Sequence, residues 1–422
     1  MSISLDQTPE APLSAKKERP STARWLPICF WGALGLIIVA AVFMRLYHLD
    51  LPFDRDSYDE GVYWQSLRSM RGGLSLYHTV FYSQPPLFLL STYAGYVLFG
   101  SSLWSARLGI ALVSLLGFLG AYLLGKALAG RRGALVVMLL LLVDPFYLAQ
   151  SQTIQAEASS VAFTMLAIAF AFLWWKQPDG RAGACWAALC GLTFALSLLC
   201  KLLCISTLVP LAWMMLVRAW QIVRKEPGTS RRSWWPMLAG IGAMLLVLLL
   251  GVLPFLRSWS DFWADVWTFH SVASKVATMP RLDNLLRVLI PFFSLTALAA
   301  LYGLLMALLR RDWRVLPLLA WLLVTFMALF LQQPLFIHHL IALEPPLIAL
   351  AVLGLAVPAS YKVALQRFTT RGKHLTRLFS IMGVVLILAA CVGSIWQDVS
   401  YYQGADANAA GAPNQQHLRV AA

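Results

Sequence analysis

Eleven apolar, almost uncharged runs recur along the chain, at 25–44, 108–125, 133–148, 157–175, 182–200, 202–217, 234–256, 288–309, 315–331, 340–361 and 378–396. A helix needs ~20 such residues, with a range of ~17–25, to cross the hydrocarbon of a bilayer. The runs at 133–148 and 202–217 are the shortest for the task. Composition points the same way. The chain is 59% hydrophobic and 12% charged, whereas a soluble domain carries about 25% charged residues to face water all round. We expect an all-α, polytopic transmembrane helical bundle of about eleven spans, with no separate soluble domain.

The formal net charge of +14 raises the question of a nucleic-acid partner, and the positions of the charges answer it. Of the 33 Lys and Arg residues, 22 fall in six clusters beside apolar runs, at 16–24, 126–132, 176–181, 218–232, 310–314 and 362–377. Basic residues resist translocation and favour the anionic inner leaflet, so such clusters mark cytoplasmic loops in contact with membrane lipids. Starting inside, eleven crossings put every cluster on the cytoplasmic side. This pattern predicts a multi-pass protein of the cell membrane with a cytoplasmic N-terminus, and no nucleic-acid partner.

Residues 81–99 are also uncharged, but a crossing there would put the later clusters on the wrong side. Pro85-Pro86 further interrupts a helix at its start. The segment is therefore expected in the outer interface, which leaves 45–107 as one continuous outer loop, with a second at 257–287. The expected organisation is a disordered cytoplasmic tail at 1–24, a membrane module at 25–396 and a disordered outer tail at 397–422. There is no internal repeat. The six cysteines (29, 185, 190, 200, 204 and 391) lie in apolar stretches without metal or disulfide spacing.

Five of the 19 acids fall between Asp50 and Glu60 in the first outer loop: Asp50, Asp54, Asp56, Asp59 and Glu60. Ser57 followed by Glu60 is a capping-box pattern, and Gly72-Gly73 ends the run that follows. Tyr63, Leu67 and Met70 recur at helical spacing, so an amphipathic helix is predicted from about 58 to 71, lying on the outer membrane surface. Glu157 faces the same compartment where the fourth span begins, with Asp144 as its rival. An acid at the edge of hydrocarbon is costly unless paired, solvated or used. On local pattern, capping and helix-dipole roles for Asp59, Glu60 and Glu157 stand beside catalytic ones.

Asp59-Glu60, then SQPPLF, then WSARLG, then an acid opening the fourth span form an ordered series. It resembles the GT-C fold glycosyltransferases, in particular the protein O-mannosyltransferases and the bacterial transferases that add aminoarabinose to lipid A. The resemblance covers about 25–360, with specific motifs in the first 160 residues. It implies a polyprenyl-phosphate sugar donor, such as a mannose donor, and a protein, lipid or glycan acceptor. In such enzymes a catalytic Asp followed by Glu lies in the first outer loop, ahead of a Pro-Pro-Leu segment, matched here by Asp59, Glu60 and Pro85-Pro86-Leu87. Arg107 fits a recurrent Arg before the second span, and Glu157 falls near the second acid. One departure is Gln84, where a basic residue often precedes the Pro pair. Another is the absence of a large C-terminal outer domain.

A lipid phosphate is a good leaving group, so transfer needs an acceptor hydroxyl held in line and a base to take its proton. Asp59 is the expected base, with Glu60 or Glu157 orienting acceptor or sugar. Arg55, Arg68, Arg71 and Arg107, backed by Lys201, are the candidate phosphate-binding cations. Tyr63, Gln84, His338 and His339 are expected near donor or acceptor. The acids are compatible with a divalent metal, but their spacing diagnoses none. Two other classes fit less well: a solute or lipid transporter, and a GT-C-like assembly partner without activity.

Overall fold

The computed structural model describes residues 22–53, 58–227, 229–276, 280–292, 295–355 and 370–411. Among these residues there is no strand, only one isolated bridge between Leu76 and Val80. Where they are described, the eleven apolar runs lie on helix, apart from the break at Val143-Asp144 and the turn at Gly354-Leu355. The first run is α1 (Thr22–Leu46), and two helices of the predicted first loop follow, α2 (Tyr58–Arg71) and α3 (Pro86–Leu98). The predicted limits of α2 are met closely, and it buries Glu60, Tyr63, Ser66 and Leu67 on one face. With 13 residues, α3 is about 20 Å long, too short for a ~30 Å hydrocarbon core. It packs on the next helix through paired glycines. A Cβ on Gly95 would meet the Ser105 carbonyl at 2.8 Å and the Gly109 Cα at 3.0 Å.

The 40-residue α4 (Leu103–Leu142) is two helices joined at a break. Ala129 leaves helical geometry and Gly130 has φ 71°, a left-handed conformation that glycine adopts without steric cost. The legs fold back so closely that a Cβ on Gly125 would lie 2.4 Å from the Gly133 carbonyl. The basic pair Arg131-Arg132 falls at this turn. Asp144 then caps the short helix α5 (Pro145–Gln152), its side chain accepting the Tyr147 N–H at 2.6 Å.

Next come α6 (Glu157–Lys176), α7 (Gly180–Cys200), α8 (Leu208–Val223) and α9 (Trp234–Val252). Most of α6 is buried between α4 and α7. Ser160 and Thr164 of α6 hydrogen-bond the Ser197 hydroxyl of α7 at 3.0 and 2.8 Å, which gives interior polar groups partners where no water is at hand. By contrast α9 turns Leu245, Leu246, Leu249 and Leu250 outward, the surface a lipid-facing helix requires.

The described part of the outer loop predicted at 257–287 is mostly helical, with α10 (Trp259–Trp263), a π turn, α11 (Phe269–Val276) and α12 (Arg281–Phe292). The chain then forms α13 (Leu295–Leu309), α14 (Val315–Leu331), a 3₁₀ segment at Ile337–Leu343, α15 (Glu344–Leu353) and α16 (Thr370–Gly411). Seven helical stretches among the described residues are long and apolar enough to cross a membrane, and four shorter ones are apolar. One of the seven is Leu103–Leu142, which supplies two legs. The protein is a multi-pass membrane helical bundle.

The disordered outer tail expected from 397 is corrected by α16, which continues as helix to Gly411. Aromatic packing holds it. The Tyr401 ring stacks on Phe53 with centroids 5.3 Å apart, and Tyr402 donates to the Met44 carbonyl at 2.9 Å. Residues 412–422 lie outside the described set, as do 1–21 of the expected N-terminal tail; 22–24 already belong to α1. All six cysteines are free.

Candidate active site

The first turn of α2 carries Asp59 and Glu60 side by side, and helical geometry sends them different ways. Successive residues differ by roughly 100° around the axis. Glu60 turns inward, where one carboxylate oxygen accepts from Arg107 Nε at 2.8 Å and from the Ile154 amide at 2.9 Å. The other accepts from Arg107 Nη2 at 2.7 Å. Arg107 Nη1 holds the carbonyls of Leu49 and Leu51 at 2.8 and 2.6 Å. Every guanidinium nitrogen of Arg107 is thus spent within the protein. Arg107 is 1% exposed and, through Glu60, ties the loop, α2, α4 and the segment before α6 together. Ser57, the expected cap partner of Glu60, lies outside the described residues, as does Arg55.

Asp59 faces the other way and its side chain is 45% exposed. His338 Nε2 lies 3.7 Å from its carboxylate and 3.5 Å from that of Glu157. Glu157 occupies the first turn of α6, where the helix dipole favours an anion, and is ion-paired with Lys201. Lys201 sits at the junction where α7 ends in extended backbone, φ −159° and ψ 136°, before a 3₁₀ turn at Leu202–Thr207. Asp59, Glu157, Lys201, His338 and His339 thus converge from four remote segments.

Tyr63 lies one turn along α2 from Asp59, packed edge-on against Tyr82 and Phe88 at 5.7 and 5.2 Å. Burial first, then the charges of Asp59 and Glu157, push its phenol well above the ordinary value. It stays protonated, with the side chains of Gln84 and Ser83 beside it. Gln84 is buried and approaches His270 Nε2 at 3.5 Å. His270 was absent from the sequence expectations. Its signal was available, as one of only seven histidines and lying in the second outer loop.

Two expected phosphate ligands are carried away from the acids. Arg68 and Arg71 lie nine and twelve residues beyond Asp59 on α2, roughly 14 and 18 Å along the axis. Both are exposed, and Arg71 lies over the Tyr96 ring at 6.0 Å. Asp144, the rival of Glu157, is used as the cap of α5.

Ligand atoms of Glu157, His338 and His339 lie within 4.8 Å of one another, a grouping of the kind that binds metal. The donor chemistry fits a cation of this chain better. Lys201 already neutralises Glu157. The Phe336 amide donates to His339 Nδ1 at 3.2 Å, which leaves the proton of the neutral ring on Nε2 and not a metal-binding lone pair.

Residues 83–255 match the family model described as dolichyl-phosphate-mannose-protein mannosyltransferase. The fold resembles the crystal structure of ArnT from Cupriavidus metallidurans bound to undecaprenyl phosphate, with a TM-score of 0.61 and 18% identity over 90% of this chain and 76% of that one. The chain has the GT-C glycosyltransferase fold. A second likeness is to the Archaeoglobus fulgidus oligosaccharyltransferase in its apo form, with a TM-score of 0.52 and 14% identity over 92% of this chain and 57% of that one. No curated protein sequence matches the chain.

Proposed function

We propose that this GT-C chain is a membrane glycosyltransferase. It moves a sugar, a hexose such as mannose, from a polyprenyl-phosphate donor to an acceptor hydroxyl on the extracytoplasmic face of the cell membrane. The observation that carries the reading is the meeting of a half-exposed acid, Asp59, with the buried Glu157–Lys201 pair across His338. An exposed carboxylate held beside a buried ion pair is placed to take a proton without carrying the fold.

Asp59 accepts the proton of the acceptor hydroxyl while that oxygen forms its bond to the anomeric carbon. The bond from that carbon to the phosphate oxygen breaks, and its electron pair leaves with polyprenyl phosphate. His338 orients Asp59, and Lys201, fixed by Glu157, puts positive charge beside the leaving phosphate. The Tyr63 phenol, held protonated, offers a neutral donor to sugar or phosphate oxygens. Glu60 and Arg107 act by position, fixing the first turn of α2.

The test supplies purified protein in nanodiscs with labelled polyprenyl-phosphate mannose and a mixture of hydroxyl acceptors. Release of polyprenyl phosphate, lost in Asp59→Asn, is the expected result. Movement of a solute across liposomes without any donor cleavage would replace this reading with a transporter.

A further inference from the structure

A cavity of about 350 Å³ lies beside the acids, between α5, the 3₁₀ segment at Ile337–Leu343 and the outer part of α16. His338 lines it and also faces Asp59 and Glu157, so a ligand in the cavity reaches the acids along one side chain. Among the described residues that line it, none is Asp, Glu, Lys or Arg. Its walls are aromatic rings, Phe53, Phe146 and Tyr401, set among neutral polar groups, Gln150, Thr153 and Gln397.

We propose that this cavity is the acceptor subsite and that it takes a neutral saccharide; the proposal rests on the glycosyltransferase reading. The chemistry of the walls carries it. Aromatic faces pack on the apolar C–H faces of a pyranose, and amides hydrogen-bond its hydroxyls in both senses. An anionic headgroup would find no Lys or Arg in the described lining, and His338 already faces the two carboxylates of Asp59 and Glu157. The volume sits at the low end of small-molecule sites, room for a sugar ring or two and tight for a folded peptide segment.

Gln150 supplies the second, independent observation. It is 9% exposed, and its side-chain carbonyl oxygen is buried without a hydrogen-bond donor among the described residues. The residue lines the cavity, and a turn of its amide brings this unsatisfied acceptor to the cavity wall, where a sugar hydroxyl donates to it. The same geometry explains why α16 stays helical past 397. The helix brings Gln397 and Tyr401 to the cavity wall, where a soluble tail would leave it open.

Full-length protein in nanodiscs free of sugar detergents distinguishes the outcomes. Saturation-transfer NMR is recorded with methyl hexopyranosides, with a Ser/Thr peptide and with a glucosamine phosphate, and transfer from labelled donor to each is measured alongside. The neutral hexoside should bind and accept, and Gln150→Leu should raise its KM about tenfold. Tyr401→Ala should weaken the same binding, which guards against a misfolded Gln150 variant. Preferred use of the peptide or the phosphate, or an unchanged KM in Gln150→Leu, overturns the subsite. Hexoside binding that Gln150→Leu abolishes, with no donor cleavage by any acceptor or by water, keeps the subsite and removes the glycosyltransferase reading.

Discussion

The Arg107 guanidinium closes on the Glu60 carboxylate through two parallel hydrogen bonds, 2.8 and 2.7 Å, and spends its remaining nitrogen on the carbonyls of Leu49 and Leu51. The pair joins α2 and the Leu49–Leu51 stretch to α4, and both partners are buried. Removing one partner strands a charge away from water, at a cost of about 3–5 kcal/mol. Glu60→Leu and Arg107→Leu should therefore each lower the thermal midpoint sharply in detergent. The double variant should lose less than the two losses added together, a comparison that a melting series makes directly.

Asp59 presents the opposite case, because its side chain is half open to solvent and carries little of the fold. Asp59→Asn should cut turnover by ~10²–10⁴, the usual contribution of a general base, with the melting temperature unchanged. Retained turnover in that variant would remove Asp59 from the role of base.

Lys201 and Glu157 are both nearly buried, at 8% and 2% exposure of their side chains. Lys201→Met leaves Glu157 charged without its partner and should destabilise the protein by about 3–5 kcal/mol. Adding Glu157→Gln should restore much of that stability. Donor affinity should stay low in the stable double variant, because the positive charge near the leaving phosphate is still missing. Isothermal titration with polyprenyl phosphate separates the two effects.

The C-terminal part of α16 is fastened by Tyr402, which donates to the Met44 carbonyl at 2.9 Å and receives from Gln152 Nε2 at 3.0 Å. Tyr402→Phe should cost about 0.5–1.5 kcal/mol. In hydrogen exchange the amides near Ser400–Ala405 should be protected in the wild type and should open in the variant. Free exchange in both would mean that the tail is not held.

Much of the fold was legible because its signals are local. Residues 58–71 carry an apolar period of 3.6 and a stop at Gly72-Gly73, so α2 declared both its existence and its ends. The basic clusters and Pro85-Pro86 likewise kept α3 from being read as a span. The tail from 397 misled, since a run rich in Ala, Gly, Asn and Gln carries no apolar stripe. Its helix depends on Tyr401 and Tyr402 finding Phe53 and Gln152, contacts between opposite ends of the chain.

The sequence by itself determined an all-helical membrane chain, the location of its apolar runs and the crowding of acids in the first turn of α2. Those follow from composition and short spacing, which hydrocarbon and helical geometry constrain residue by residue. Which acid does what was decided only by the tertiary structure. Asp59 and Glu60 are adjacent and chemically alike, yet one faces His338 and the other is consumed by Arg107. A partner is chosen by which distant segments converge in space, and no local spacing encodes that convergence.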